Sequence, residues 1–127
     1  MRLVHTMIRV EDLDESIDFY TQKIGLELVA REELPGNDAT IAFLREPKSG
    51  HEIELTYNHD GRSYDLGDGY GHMAFDVVSV DDTYEEWKAR GVTFSLLPKT
   101  MQNGMRIAFA VDPAGYKLEL REMPETA

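Results

Sequence analysis

The sequence predicts an α+β fold built from two tandem βαβββ modules, on two observations. The chain repeats its own plan, and within each copy the apolar spacing switches from strand-like alternation to helical spacing and back to alternation three times. With His5 placed over His72, Val10 falls on Val77, Leu13 on Val80, Ile17 on Tyr84 and Tyr20 on Trp87, while Gly25 lands one residue from Gly91. The reading is one domain over residues 1–127, with module one at about 1–59, a linker at 60–69, module two at about 70–122 and a tail at 123–127.

In the first copy Leu3 to Val10 is rich in apolar and β-branched residues and reads as a strand, with His5 and Arg9 on one face. Asp12 followed by Glu15 reads as a helix N-cap with its partner, because a short acceptor side chain satisfies the free amides of the first turn. Leu13, Ile17, Tyr20 and Ile24 then keep helical spacing up to a stop at Gly25. Three strands follow, Leu26 to Glu32, Ala39 to Arg45 and Glu52 to Asn58, divided by Pro35-Gly36-Asn37 and Pro47-Lys48-Ser49-Gly50.

The second copy repeats each step. Ser79 and Asp82 take the capping positions, Val80, Tyr84 and Trp87 form the apolar stripe, and Gly91 ends the helix. Its strands are Val92 to Leu97, Met105 to Val111 and Tyr116 to Arg121, with Asn103-Gly104 and Asp112-Pro113-Ala114-Gly115 as breaks. Gly61, Gly67 and Gly69 give the linker conformational freedom. Tyr20 and Trp87 read as core residues.

Composition excludes several classes of function. There are 24 Asp plus Glu against 13 Lys plus Arg, a formal charge of -11, and no cysteine. An acidic surface without a basic cluster repels phosphate backbones and anionic membranes, which disfavours nucleic-acid and membrane partners. Without cysteine there is no disulfide, thiolate nucleophile or Cys-ligated metal, so any metal chemistry must use His and carboxylate. The opening residues lack a signal-peptide core and no window approaches a membrane span, which makes a soluble cytoplasmic protein the expectation.

The last strand of each copy carries a carboxylate inside an apolar run. Glu54 lies 49 residues after His5, and Glu119 lies 47 after His72. Alternation sends Glu54 to the face of Thr56 and Asn58, with Ile53, Leu55 and Tyr57 on the other. If the outer strands of each module lie side by side, His and Glu meet on one face, and two such modules face to face close a cup of two imidazoles and two carboxylates. That donor set suits Ni, Co, Fe, Mn or Zn in an open catalytic site. Taken one at a time, a His at a strand start is an ordinary structural or surface residue, and a Glu between Ile and Leu is ordinarily on the solvent face. The duplication is what singles out this set. His51, His59, Asp60 and Asp65 have no symmetric counterpart and read as loop or surface groups.

The sequence resembles the glyoxalase I (lactoylglutathione lyase) family of the vicinal oxygen chelate superfamily. The resemblance rests on Met1-Arg2-Leu3-Val4-His5-Thr6-Met7-Ile8-Arg9-Val10, Ser16-Ile17-Asp18-Phe19-Tyr20, Ile53-Glu54-Leu55-Thr56-Tyr57-Asn58, Tyr70-Gly71-His72 and Asp112-Pro113-Ala114-Gly115-Tyr116-Lys117-Leu118-Glu119-Leu120, which together span nearly the whole chain. It implies the fold of that superfamily, with curved mixed sheets around a metal. It also implies that His5, Glu54, His72 and Glu119 are the metal ligands, that Glu119 and Glu54 are catalytic with Glu119 the first choice for the base, and that Arg9 and Asn58 hold the glutamyl end of glutathione. The implied reaction isomerises the hemithioacetal of methylglyoxal and glutathione to S-lactoylglutathione through an enediolate, in methylglyoxal detoxification.

Without the additional N-terminal arm of zinc-type members, the chain resembles the Ni2+- or Co2+-activated group, with Zn2+ also admissible. Lys99 and Arg106 are candidate contacts for the glycyl carboxylate, while the position aligned with the family's lysine holds Met105. The resemblance further implies a homodimer, with each site either shared between two chains or built within one. Competing readings are an acyl-CoA epimerase or an extradiol dioxygenase of the same superfamily, and a small-molecule-sequestering protein without catalysis. The fourth ligand, Glu54, and Asn58 after it favour the isomerase.

Overall fold

The computed structural model describes residues 1–124; the last three residues of the tail expected at 123–127 lie outside the described residues. The chain divides into two compact units, Met1–Asp65 and a second beginning at Leu66. The first runs β1 (His5–Arg9), α1 (Leu13–Asp18), a π-helical turn (Phe19–Lys23), β2 (Glu27–Leu34), β3 (Ala39–Arg45) and β4 (Glu52–Asn58). The second runs β5 (His72–Asp76), α2 (Val80–Ala89), β6 (Thr93–Thr100), β7 (Arg106–Val111) and β8 (Lys117–Glu122). Among the described residues no helix is long and apolar enough to cross a membrane.

Each unit holds one four-stranded mixed sheet, ordered β1-β4-β3-β2 and β5-β8-β7-β6. The strands after the helix form an antiparallel meander, and the helical crossover returns its last strand parallel to the first, because parallel neighbours need a long connection. The parallel register sets Met7 beside Glu54 in the first unit and Ala74 beside Glu119 in the second. The two four-stranded mixed sheets with intervening helices are the α+β architecture expected.

Each core lies between a sheet and its helix. Leu44, Leu55, Ala42 and Tyr20 are buried in the first unit, and Leu118, Leu120, Val80 and Trp87 in the second. Both helices start at the expected caps: the Glu15 amide donates to Asp12 Oδ1 and the Asp82 amide to Ser79 Oγ, each at 3.1 Å.

The first helix departs from the expected single run over residues 13–24. Beyond Asp18 it widens into the π turn, where the Ile24 amide reaches back to the Phe19 carbonyl at 3.1 Å and Thr21 Oγ1 donates to the Ile17 carbonyl at 2.7 Å. Phe19 and Tyr20, at the start of this wider turn, both lie in the core, at 3% and 0% exposure.

Two strands run past their expected ends. The sixth strand continues through Pro98 to Thr100 because it is an edge strand, and its register slips between Leu96 and Lys99, where the missing amide is not needed. The second extends to Leu34 and carries an irregularity between Leu28 and Ala30. The linker segment makes two contacts near its middle. The Tyr64 amide donates to Glu11 Oε1 at 3.2 Å, and a methyl of Leu66 lies against Gly115.

Candidate metal and substrate site

The first strand opens with His5 and the fourth carries Glu54 at its centre. The parallel pairing of these strands brings His5 Nε2 to 3.1 Å from Glu54 Oε1. The second unit repeats the arrangement, with His72 Nε2 3.7 Å from Glu119 Oε1. The imidazoles are about a third exposed or more, at 37% and 40%, whereas the carboxylates are largely sheltered, at 16% and 13%. A His that opens to solvent and a carboxylate held in from it form a two-donor half-site in each unit. Among the described residues no group of three or more His, Cys, Asp or Glu gathers around one point, so each pair stands as two donors.

Each half-site has an aromatic wall. Phe43, directly across from Glu54, meets the His5 ring edge to face at 5.5 Å, and Phe109, directly across from Glu119, meets His72 at 5.1 Å. Neither phenylalanine stood out in the sequence, because an aromatic in mid-strand reads as core. The available signal was their common place in the two aligned copies, Ala42-Phe43 and Ala108-Phe109.

The halves differ in what holds the carboxylate. Thr56, on the Glu54 face as alternation requires, donates its hydroxyl to Glu54 Oε2 at 3.0 Å. The residue two positions after Glu119 is Arg121, whose Nε donates instead to Asp76 Oδ1 at 2.8 Å.

The other expected contacts fall into two groups. Arg9 closes the strand that His5 opens and Asn58 closes the strand that holds Glu54, both on the faces expected. Asn58 Nδ2 donates to the Tyr64 hydroxyl at 2.6 Å. Arg106, offered for a terminal carboxylate, is clasped by Asp81: Nε and a terminal nitrogen donate to its two oxygens at 2.7 and 2.9 Å, and another donates to Thr100 at 3.0 Å. Hydrogen bonding to Arg106 holds the Asp81 carboxyl below its usual range. Lys99 is exposed on the sixth strand, and Met105 sits in the turn before the seventh with its amide bonded to Asn103.

A cleft of about 390 Å³ adjoins the second half-site, lined by Leu66, Tyr70, His72, Phe109, Tyr116 and Lys117. Tyr70 and Tyr116 meet edge to face at 5.6 Å there, and burial raises the Tyr70 hydroxyl above its ordinary range. The remaining histidines lie elsewhere. His51 Nε2 is 3.0 Å from Thr6 Oγ1, and His59 is held between Asp38 and Thr40.

Comparison with known proteins identifies the family. Residues 2–120 match the Glyoxalase/Bleomycin resistance protein/Dioxygenase superfamily. A probable lactoylglutathione lyase of Synechocystis is 41% identical over 94% of this chain and 94% of its own length. A lactoylglutathione lyase of Escherichia coli O157:H7 is 41% identical over 96% of this chain and 93% of its own. The crystal structure of glyoxalase I from Zea mays superposes with a TM-score of 0.87 at 36% identity and covers 98% of this chain, which spans 46% of the maize chain. The chain therefore belongs to the Glyoxalase/Bleomycin resistance protein/Dioxygenase superfamily, and within it to the glyoxalase I family.

Proposed function

We propose that the chain is a lactoylglutathione lyase that converts the hemithioacetal of methylglyoxal and glutathione into S-lactoylglutathione, using a divalent metal held by His5, Glu54, His72 and Glu119. One observation carries the reading: the same His and Glu, separated by nearly the same length of chain, meet on equivalent strand pairs of both units at 3.1 and 3.7 Å. Two donors on one cation, each about 2.0–2.2 Å from it, stand roughly 3–3.5 Å apart; the first pair falls within that span and the second lies just beyond it. Imidazole and carboxylate together suit Ni2+ or Co2+, with Zn2+ as the alternative.

Each half-site supplies two ligands, and in a homodimer one chain's His5 and Glu54 would be completed by the second pair of another. A divalent cation held there would draw negative charge from two adjacent substrate oxygens and so acidify the neighbouring C–H bond. Glu119 then takes the proton from the carbon bearing sulfur, and the bonding pair becomes the double bond of the enediolate. Return of that proton to the adjacent carbon gives the thioester, so no oxidant or other reactant is consumed.

Arg9 offers a planar guanidinium suited to a carboxylate of glutathione, and Asn58, oriented by Tyr64, offers amide contacts beside it. With Arg106 engaged by Asp81, Lys99 is the cation better placed to meet a second carboxylate.

The test is to strip the protein with chelator, add Ni2+, Co2+, Zn2+, Mn2+ or Mg2+ singly, and follow thioester absorbance with methylglyoxal and glutathione. Thioester should appear with Ni2+ or Co2+. No thioester with any of the ions overturns the proposal.

A further inference from the structure

We infer that Thr56 is a positioning residue that fixes Glu54 as a permanent ligand and thereby leaves proton transfer to Glu119. The inference rests on the metal reading above and concerns a difference between the two halves that the repeat itself does not predict.

Both oxygens of Glu54 are engaged: Oε1 faces His5 Nε2 at 3.1 Å, and Oε2 accepts the Thr56 hydroxyl at 3.0 Å. Turning Glu54 about its last bond would break the hydrogen bond from Thr56, and that hydroxyl already takes one lone pair of Oε2. Thr56 is itself fixed, because its strand is central in the sheet and its neighbours across the ladder are Arg9 and Ile41. A β-branched side chain on a strand also has few rotamers to choose from.

Glu119 has a different environment. Its ionic neighbours are His72 at 3.7 Å and, more weakly, the Arg121 guanidinium, and no described side chain is shown donating a hydrogen bond to it. The position matching Thr56 is Arg121, whose guanidinium turns to Asp76 on the neighbouring strand. Glu119 is as sheltered as Glu54, at 13% against 16%, so the contrast is one of hydrogen bonding rather than solvent access. A carboxylate that must leave a cation, take a proton from carbon and give it back needs a free oxygen and freedom to swing. Glu119 carries no such restraint among the described residues, whereas Glu54 is held by Thr56. Partners that orient a ligand are typically worth about 10–100-fold in metal affinity, which makes the role measurable.

The experiment titrates Ni2+ and Co2+ into chelator-stripped full-length chain by calorimetry, for wild type, Thr56→Val, Thr56→Ser, Glu54→Gln and Glu119→Gln. Valine keeps the shape and branching of threonine without the hydroxyl, and serine keeps the hydroxyl. Thr56→Val should weaken binding by about 10–100-fold while Thr56→Ser recovers most of it, with the melting temperatures of the metal-free proteins alike. Glu54→Gln should lose more metal affinity than Glu119→Gln, and Glu119→Gln should lose turnover even when saturated with metal. Wild-type affinity in Thr56→Val, or equal losses in the two glutamine variants, overturns the inference while leaving the metal reading standing. Wild-type protein that binds neither ion overturns both.

Discussion

Phe43 and His5 meet edge to face with ring centroids 5.5 Å apart, and Phe43 does so from the position directly opposite Glu54. One side chain thus touches the imidazole and shelters the carboxylate of the same half-site. Phe109 repeats the relationship with His72 and Glu119. An edge-to-face pair contributes about 0.5–1.5 kcal/mol beyond the area it buries. Phe43→Leu should therefore lower the urea midpoint by an amount equivalent to about 1 kcal/mol and broaden the NMR signals of the His5 ring. An unchanged midpoint with sharp His5 signals would show that the contact holds nothing in place.

The Asp76–Arg121 pair gives a pH dependence of definite sign. Hydrogen bonding to Arg121 holds the Asp76 carboxyl below its ordinary value, so the folded state prefers the charged form. The resulting stability is complete above the unfolded value of about 3.9 and is lost as pH falls through the lower folded value. The carboxylate is open to solvent, so the contribution is small and screened by salt. Asp76→Asn should lower the denaturation midpoint slightly at neutral pH and low salt, and the difference from wild type should shrink as acid protonates Asp76 and vanish once that carboxyl is fully protonated. A difference that grows on acidification would reverse the assignment.

Gly25 closes the first helical segment with φ at +97°, and a Cβ built there meets nothing within 4 Å. The penalty for a side chain is therefore backbone strain without a clash. Gly25→Ala should destabilise the protein by roughly 1–2 kcal/mol, and Gly25→Asn by less, because Asn tolerates the left-handed region better. Chemical denaturation of the two variants tests this. Equal stability of Gly25→Ala and wild type would mean that the turn relaxes to a negative φ.

Where sequence reading succeeded, the signals were local. The capping side chains of Asp12 and Ser79 act within three residues of where they sit, and the alternation that places Thr56 beside Glu54 needs no partner strand. It missed features whose cause lies across the sheet. Nothing in Phe19-Tyr20-Thr21 announces the π turn. Pro98 reads as a strand terminator unless the strand is known to lie at an edge. The engagement of Arg106 depends on Asp81, at the start of a helix, reaching the end of another element. The roles of Phe43, Phe109 and Thr56 became visible only once each stood beside its His or Glu.

By itself the sequence determined a duplicated βαβββ plan, its caps and its alternating faces, because hydrophobic period and short-range hydrogen bonds are properties of neighbouring residues. The tertiary structure decided which residues meet. His5 and Glu54 are far apart along the chain, and their 3.1 Å approach follows from the register of two parallel strands. That register is set by which faces can be buried at once, a condition on the whole sheet that no local stretch of sequence contains.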